Sequence, residues 1–147
     1  MKHAIINSFS GEYRFLSNFW YAKVSLGGLE FKSTEAAYVA AKTTDPEIRL
    51  KIQALPKPAA CKSFGRKIEL RADWDEVKLP IMLDLLEQKF AAGTELAAKL
   101  LSTGHAYLLE GNTWGDTFWG ICNGEGLNHL GILLMNIRAD LRNEENG

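Results

Sequence analysis

The chain has 147 residues, 46% of them hydrophobic, and a formal net charge of −1. That suffices for one domain with a real core, and it excludes a disordered chain and a globally basic nucleic-acid binder. No apolar run approaches the roughly 18 residues of a membrane span, and the two distant cysteines, Cys61 and Cys122, speak for a reducing cytoplasm and against a disulfide scaffold or zinc site.

In chain order, the N-terminus shows no basic region followed by an apolar segment, so no signal peptide is expected. Ala4-Ile5-Ile6 reads as a short strand. Residues 7–20 mix Ser, Gly and Asn with Phe9, Tyr13, Phe15, Phe19 and Trp20. Within them, Arg14-Phe15-Leu16-Ser17-Asn18-Phe19 sets a cation, a hydroxyl and an amide among apolar anchors. Such a stretch is either a loop pinned by aromatics or a grip in which Arg14 or Asn18 holds phosphate or sugar.

Residues 22–31 alternate Val24 and Leu26 with Lys23 and Ser25, turn at Gly27-Gly28 and return through Leu29-Glu30-Phe31. This predicts a β-hairpin and a small antiparallel sheet. Ser33 or Thr34 then caps a helix that holds Glu35, runs through Ala36–Ala41 and ends at Lys42. Seven residues at about 100° each return to the same face, so Glu35 and Lys42 bracket one apolar side. The plainer reading is two exposed charges at the ends of a buried helix.

Asp45-Pro46 opens a second helix with Ile48, Leu50, Ile52 and Leu55 on its apolar side. Residues 58–64 predict a short helix that stops at Gly65, beside Arg66-Lys67 and near Arg71. This is the most basic stretch and a candidate phosphate contact. Asp73-Trp74-Asp75-Glu76 is an acid-loaded helix start, followed at helical spacing by Leu79, Met82, Leu83, Leu86 and Phe90; Pro80 predicts a kink or a late start. Thr94-Glu95 begins another helix through Leu101, ended by Gly104. Ala106–Leu109 reads as a strand that delivers Glu110.

Residues 110–131 hold six of the thirteen glycines and two of the four tryptophans. Glycine allows close backbone approach, and Trp114 and Trp119 offer flat faces for a base or sugar. Glu110, Asp116, Asn112, Asn123 and Asn128 add polar groups, so the stretch reads as a pocket wall for a planar polar ligand; the plainer reading is a Gly-rich turn with two core tryptophans. The dinucleotide fingerprint is excluded because position 129 is His, and the P-loop because Ile132 follows Gly131. Leu127, Leu130, Leu134, Ile137 and Leu141 mark a last amphipathic helix, whose start at residues 126–128 would offer N–H groups to an anion. His3, His105 and His129 form no metal spacing and read as surface or capping residues.

Taken together, Arg14–Phe19, Ser33-Thr34-Glu35…Lys42, Gly65-Arg66…Asp73-Trp74-Asp75…Lys78, Lys89-Phe90, Leu100-Leu101-x-Thr103-Gly104 and Asp116-x-x-Trp119-Gly120…Asn128…Gly131…Arg138 occur in one order. This ordered set resembles the NADAR domain family, also called YbiA-like or riboflavin-biosynthesis-intermediate N-glycosidases. The likeness covers nearly all of residues 1–147 and implies a single compact α+β domain, mainly helical with a small sheet. It implies hydrolysis of a ribose C1′–N bond without metal or organic cofactor. The implied substrates are nucleotide-like: ADP-ribose on guanine bases, with nucleic acid as carrier, or phosphorylated ribosylamino-pyrimidines. A non-catalytic ADP-ribose or NAD reader and a helical interaction module are the alternatives.

Breaking such a bond develops positive charge at C1′ and negative charge on the departing base. Lys42 is therefore expected as nucleophile or electrostatic catalyst, with Glu35 and Asp116 in acid/base and ribose-positioning roles. Trp74, Trp114 and Trp119 would wall the base, and Arg14 and Arg66 would hold phosphate. Ser17, Asn18, Phe19, Glu110, Gly120 and Asn128 complete the expected substrate contacts.

Overall fold

The computed structural model describes residues 4–146; His3 lies outside them. In chain order the elements are β1 (Ile5–Ile6), a 3-10 helix (Gly11–Leu16), β2 (Tyr21–Leu26), β3 (Leu29–Ser33), α1 (Thr34–Ala41), α2 (Pro46–Ala54), α3 (Pro58–Gly65), α4 (Trp74–Lys89), α5 (Glu95–Ser102), β4 (Tyr107–Leu108), β5 (Gly111–Asn112), β6 (Ile121–Cys122) and α6 (His129–Asn146). They form two contact-dense units: one is Asn18–Lys89, and the other joins the stretch up to Ser17 with that from Phe90 onward. The class is α+β. The expected antiparallel pairing is β2 with β3, but β1–β4 and β5–β6 are parallel two-stranded ladders. Parallel partners lie far apart in sequence, so no local pattern announces them.

In the first unit, α1 is the hub. Ser33 Oγ accepts the Ala36 N–H at 3.1 Å, as the capping pattern predicts. All eight residues of α1 are buried, because the small side chains of Ala36, Ala37, Ala40 and Ala41 let β2, β3, α2, α3 and α4 all reach it. The hairpin turns at Gly27 and Gly28, with φ of 56° and 81°, the left-handed pair that a two-residue turn of this kind requires.

The far end of α1 is clamped by arginines. Arg49 Nε donates to Ala40 O at 3.1 Å and Thr43 O at 2.9 Å. The Arg71 N–H donates to Lys42 O at 2.8 Å, and its Nε pairs with Asp73 at 2.6 Å. Cations at a helix C-terminus satisfy the last carbonyls and oppose the helix dipole. Arg71, read from the sequence as near a phosphate site, is thus committed to structure. Asp45 caps α2 as predicted, its Oδ1 accepting the Glu47 N–H at 2.9 Å. Ile52 is buried, but Leu50 faces solvent. α4 starts at Trp74 and runs through Pro80, so the proline omits one backbone donor without delaying the helix.

In the second unit, Leu100, Leu108, Leu130, Leu134, Ile137 and Leu141 form the core around α5, β4 and α6. Arg138 ties α6 to the α5–β4 turn, donating to Thr103 Oγ1 and Ala106 O, both at 2.8 Å. Leu127, expected to begin the apolar stripe, is exposed and precedes the helix, which starts at His129.

Candidate functional site

Two regions hold the predicted residues. The first lies on α1 and α3. Glu35, in the first turn of α1, is only 9% exposed, and its N–H donates to Asn18 O at 3.0 Å. A carboxylate there is favoured by the helix dipole. Lys42 follows the last residue of α1, half-buried, with Nζ 5.7 Å from the Tyr38 ring centroid. α3 closes onto it at Gly65. A Cβ at that position would stand 2.9 Å from Val39 Cγ1 and 3.6 Å from Lys42 Nζ, so only glycine allows the approach.

Burial pushes the Lys42 ammonium below its ordinary value; the Glu35 carboxylate opposes this, and the Arg66 and Lys62 cations reinforce the lowering. Glu35 also acts on Cys61: burial, then the Glu35 charge, push that thiol up. The carboxylate therefore interacts with both Lys42 and the wall of a pocket of about 120 Å³, lined by Phe19, Phe31, Ser33, Ala36, Pro58 and Cys61 among others. Phe19, 41% exposed, lies under the Lys62 ammonium at 5.8 Å. Two polar atoms beside Glu35 in sequence or by hydrogen bond, Asn18 Oδ1 and Thr34 Oγ1, are buried without a hydrogen-bond partner among the described residues. Trp74 packs against Tyr38 with ring centroids 5.2 Å apart and is almost wholly buried. Its indole backs the Tyr38 ring beneath Lys42.

The second region is the Gly/Trp stretch after β4. Asn112 Nδ2 donates to Glu110 Oε2 at 3.0 Å and to Asp116 O at 2.8 Å, while its Oδ1 accepts the Asp116 N–H at 3.0 Å. Asp116 Oδ1 accepts the N–H groups of Phe118 at 3.1 Å and Trp119 at 2.9 Å. One oxygen of the Asp116 carboxylate thus holds the loop and aims Trp119. That indole meets Phe118 edge-on at 4.8 Å, and Phe118 leans on His129 at 4.6 Å. His129 is therefore part of an aromatic cluster rather than a surface group. Trp114 is 58% exposed.

Three sets of groups in this stretch are engaged within the protein. Asn128, expected at the substrate, is 6% exposed; its Oδ1 accepts the Glu110 N–H at 2.9 Å and its Nδ2 donates to Leu108 O at 3.0 Å, so both amide atoms clasp the backbone. The N–H groups at the start of α6 do not face an anion: His129 and Leu130 donate to Phe118 O and Trp119 O at 3.2 and 3.0 Å. Three of the glycines are required by internal packing. A Cβ on Gly120 would strike the Glu110 carboxylate and carbonyl, one on Gly126 the Gly120 carbonyl, and one on Gly131 the Leu108 carbonyl.

Asn18, Phe19, Glu35, Lys42, Arg66 and Trp74 thus belong to one unit, and Arg14, Ser17, Glu110, Trp114, Asp116, Trp119, Gly120 and Asn128 to the other. Arg14 is exposed, and its carbonyl accepts the Ser17 N–H at 3.0 Å. Sequence reasoning passed over Lys62; it lies on α3 four residues before Arg66, which caps that helix, and this spacing, which puts both on one face, was the available sign. It also gave no role to Lys89, whose ammonium burial lowers to about 7. Among the described residues, no three His, Cys, Asp or Glu side chains gather as a metal site, and no helix is long and apolar enough to cross a membrane.

The NADAR domain profile matches residues 7–142. The N-glycosidase YbiA of Shigella boydii is 36% identical over 99% of this chain and 93% of its own length. A riboflavin biosynthesis protein of Vibrio vulnificus is 32% identical over 87% of this chain and 35% of its own. The NMR structure of Escherichia coli YbiA superposes with a TM-score of 0.84 at 35% identity, over 99% of this chain and 89% of that one. The chain belongs to the NADAR domain family and is an enzyme of the N-glycosidase class.

Proposed function

We propose that the enzyme hydrolyses the bond between ribose C1′ and a ring nitrogen, removing ADP-ribose from ADP-ribosylated guanine in nucleic acid. Residues 1–147 act in this as one NADAR domain, in the cytoplasm, where the free thiols Cys61 and Cys122 stay reduced. The observation that carries the reading is Lys42, half-buried and electrostatically tied to Glu35. A desolvated lysine holds more neutral amine near pH 7 than an exposed one, and neutral amine is what attacks carbon. In the proposed step, Lys42 Nζ bonds to C1′ and the C1′–N bond breaks. Glu35, charged beside the resting amine, takes a proton from the Lys42 nitrogen as that nitrogen bonds to C1′ and passes it to the departing nitrogen. Ring opening leaves an imine between Lys42 and C1′, which water hydrolyses to return the amine.

Arg66 and Lys62, whose charges reach Lys42, supply the positive field that a phosphorylated substrate requires. Asn18 Oδ1, a buried acceptor without a partner among the described residues, suits a ribose hydroxyl. Arg14 is assigned to phosphate, Trp114 and Trp119 to the base or sugar faces, and Asp116 to positioning Trp119. A second reading, cleavage of phosphorylated ribosylamino-pyrimidines, is favoured by the Vibrio vulnificus relative named for riboflavin biosynthesis.

Chromatography of reactions with each substrate separates the two. Free guanine from ADP-ribosylated oligonucleotide is the expected product, and its absence alongside pyrimidine release would shift the assignment to the second. Borohydride should trap the enzyme covalently through Lys42 during turnover. Turnover without trapping would favour direct attack by water.

A further inference from the structure

We propose that the pocket beside Phe19 seats the departing base, and that Lys32 and Lys57 on its wall select an oxo-substituted heterocycle over an amino-substituted one. This rests on the N-glycosidase reading of Lys42 and Glu35 and adds where the base lies and what chooses it. Size comes first. At about 120 Å³ the pocket is well below the roughly 300–1,000 Å³ that hold a drug-sized ligand, so it fits one small ring system and not a nucleotide. Its apolar walls, among them Phe19, Phe31, Ala36 and Cys61, offer flat, dry surface of the kind that a planar base fills. The Lys62 ammonium over the Phe19 ring helps fix that wall in place.

Position comes second. Ala36 lines the pocket and directly follows Glu35, the residue whose charge acts on Cys61 in the wall and on Lys42 beyond it. A ring seated there would turn its glycosidic nitrogen towards Glu35, whose charge acts on Lys42. Chemistry comes third. Lys32 and Lys57 are lining residues, and a lysine ammonium can only donate. Gln53 spends its Nε2 on Glu30 O at 2.9 Å and keeps an acceptor oxygen. Ammonium donors match the carbonyl oxygen and ring nitrogen of an oxo-purine, whereas an amino group in that place sets N–H against N–H. An oxo-pyrimidine satisfies the same donors, so the pocket suits either proposed substrate.

Calorimetry on the full chain tests this without turnover, using 9-methylguanine and 9-methyladenine as probes. The wild type should bind 9-methylguanine about tenfold tighter or more. Ala36→Leu fills the pocket and should weaken that binding about tenfold while leaving ADP-ribose binding within about twofold. Should Ala36→Leu not fold, Phe19→Ala removes a wall at a half-exposed position and should weaken it similarly. The double change Lys32→Met with Lys57→Met should reduce the preference for guanine to below about threefold. No binding of 9-methylguanine by the wild type, unchanged binding in the filled variant, or an unchanged preference in the double variant each overturns the proposal. If 9-methylguanine binding behaves as expected but no base is released from any substrate, the glycosidase assignment fails and the pocket stands. If base is released and the pocket variants bind like wild type, only the pocket fails.

Discussion

The α1–α3 region and the Gly/Trp loop do opposite things with their polar groups. In the loop, Asn112, Asn128 and one oxygen of Asp116 are bonded to backbone or to each other. Its glycines permit strand and helix to touch. On α1, by contrast, Glu35 and Lys42 are drawn out of water by burial, and the field of Arg66 and Lys62 adds to the strain on Lys42. A loop that spends its hydrogen bonds internally is rigid and gives shape. A desolvated acid–amine pair holds free energy that a reaction can use. Several of the loop's glycines and amides therefore serve architecture here, and an alanine-rich helix carries the proposed chemistry.

The sharpest way to break this contrast is Lys42→Ala. We expect kcat to fall by about 10³-fold or more, with a small change in Tm and no rescue by Lys42→Arg, since guanidinium is not deprotonated. Near-normal turnover would return the chemistry to the loop. Glu35→Gln should lower kcat by about 10²-fold or more. It also removes the charge that raises the Lys42 value, so the limb of the pH–rate curve that rises as the amine deprotonates should move to lower pH. An unmoved limb would separate Glu35 from Lys42.

On the loop side the expected losses are in stability. Gly120→Ala places a methyl on the Glu110 carbonyl and carboxylate. It should cost about 3 kcal/mol, a Tm drop of roughly 10 °C by calorimetry. Asn128→Ala strands the Glu110 N–H and Leu108 carbonyl and should cost about 1–3 kcal/mol. A loss of kcat with unchanged Tm in either variant would show that the loop acts directly on substrate.

Lys89 sharpens the comparison as an internal control, because burial lowers a lysine there too. Its folded value is about 7, against 10.5 for an ordinary lysine. Between these values the unfolded chain binds the extra proton, so stability rises with pH from about 7 to 10.5, by up to about 1.4 kcal/mol per unit. The contribution is full above 10.5 and lost as pH falls through 7. Lys89→Met should flatten that slope in denaturant titrations at several pH values, and an unaltered slope would remove Lys89 as its source. The smallest effect is expected at Trp114, where substitution by Ala at an exposed site should change stability by less than about 0.5 kcal/mol. A severalfold rise in KM would mark its indole as a substrate contact.

Much of this was open to local reading. Ser33, Asp45 and Thr94 cap α1, α2 and α5 as their side chains dictate, and Gly27-Gly28 turns the hairpin because few other residues accept two consecutive left-handed conformations. The seven-residue interval between Glu35 and Lys42 set an acid and an amine on one helical face before any fold was known. Such features depend on residues within a turn or two of each other, and helix and turn geometry leaves them little choice. What the chain could not announce depends on partners distant in sequence. The pairing of β1 with β4, the carbonyls of Phe118 and Trp119 that cover the start of α6, and the close passage of Gly65 beside Lys42 all arise only when separated segments meet. Burial is decided at that stage, and burial turns Lys42 from a surface charge into a candidate nucleophile.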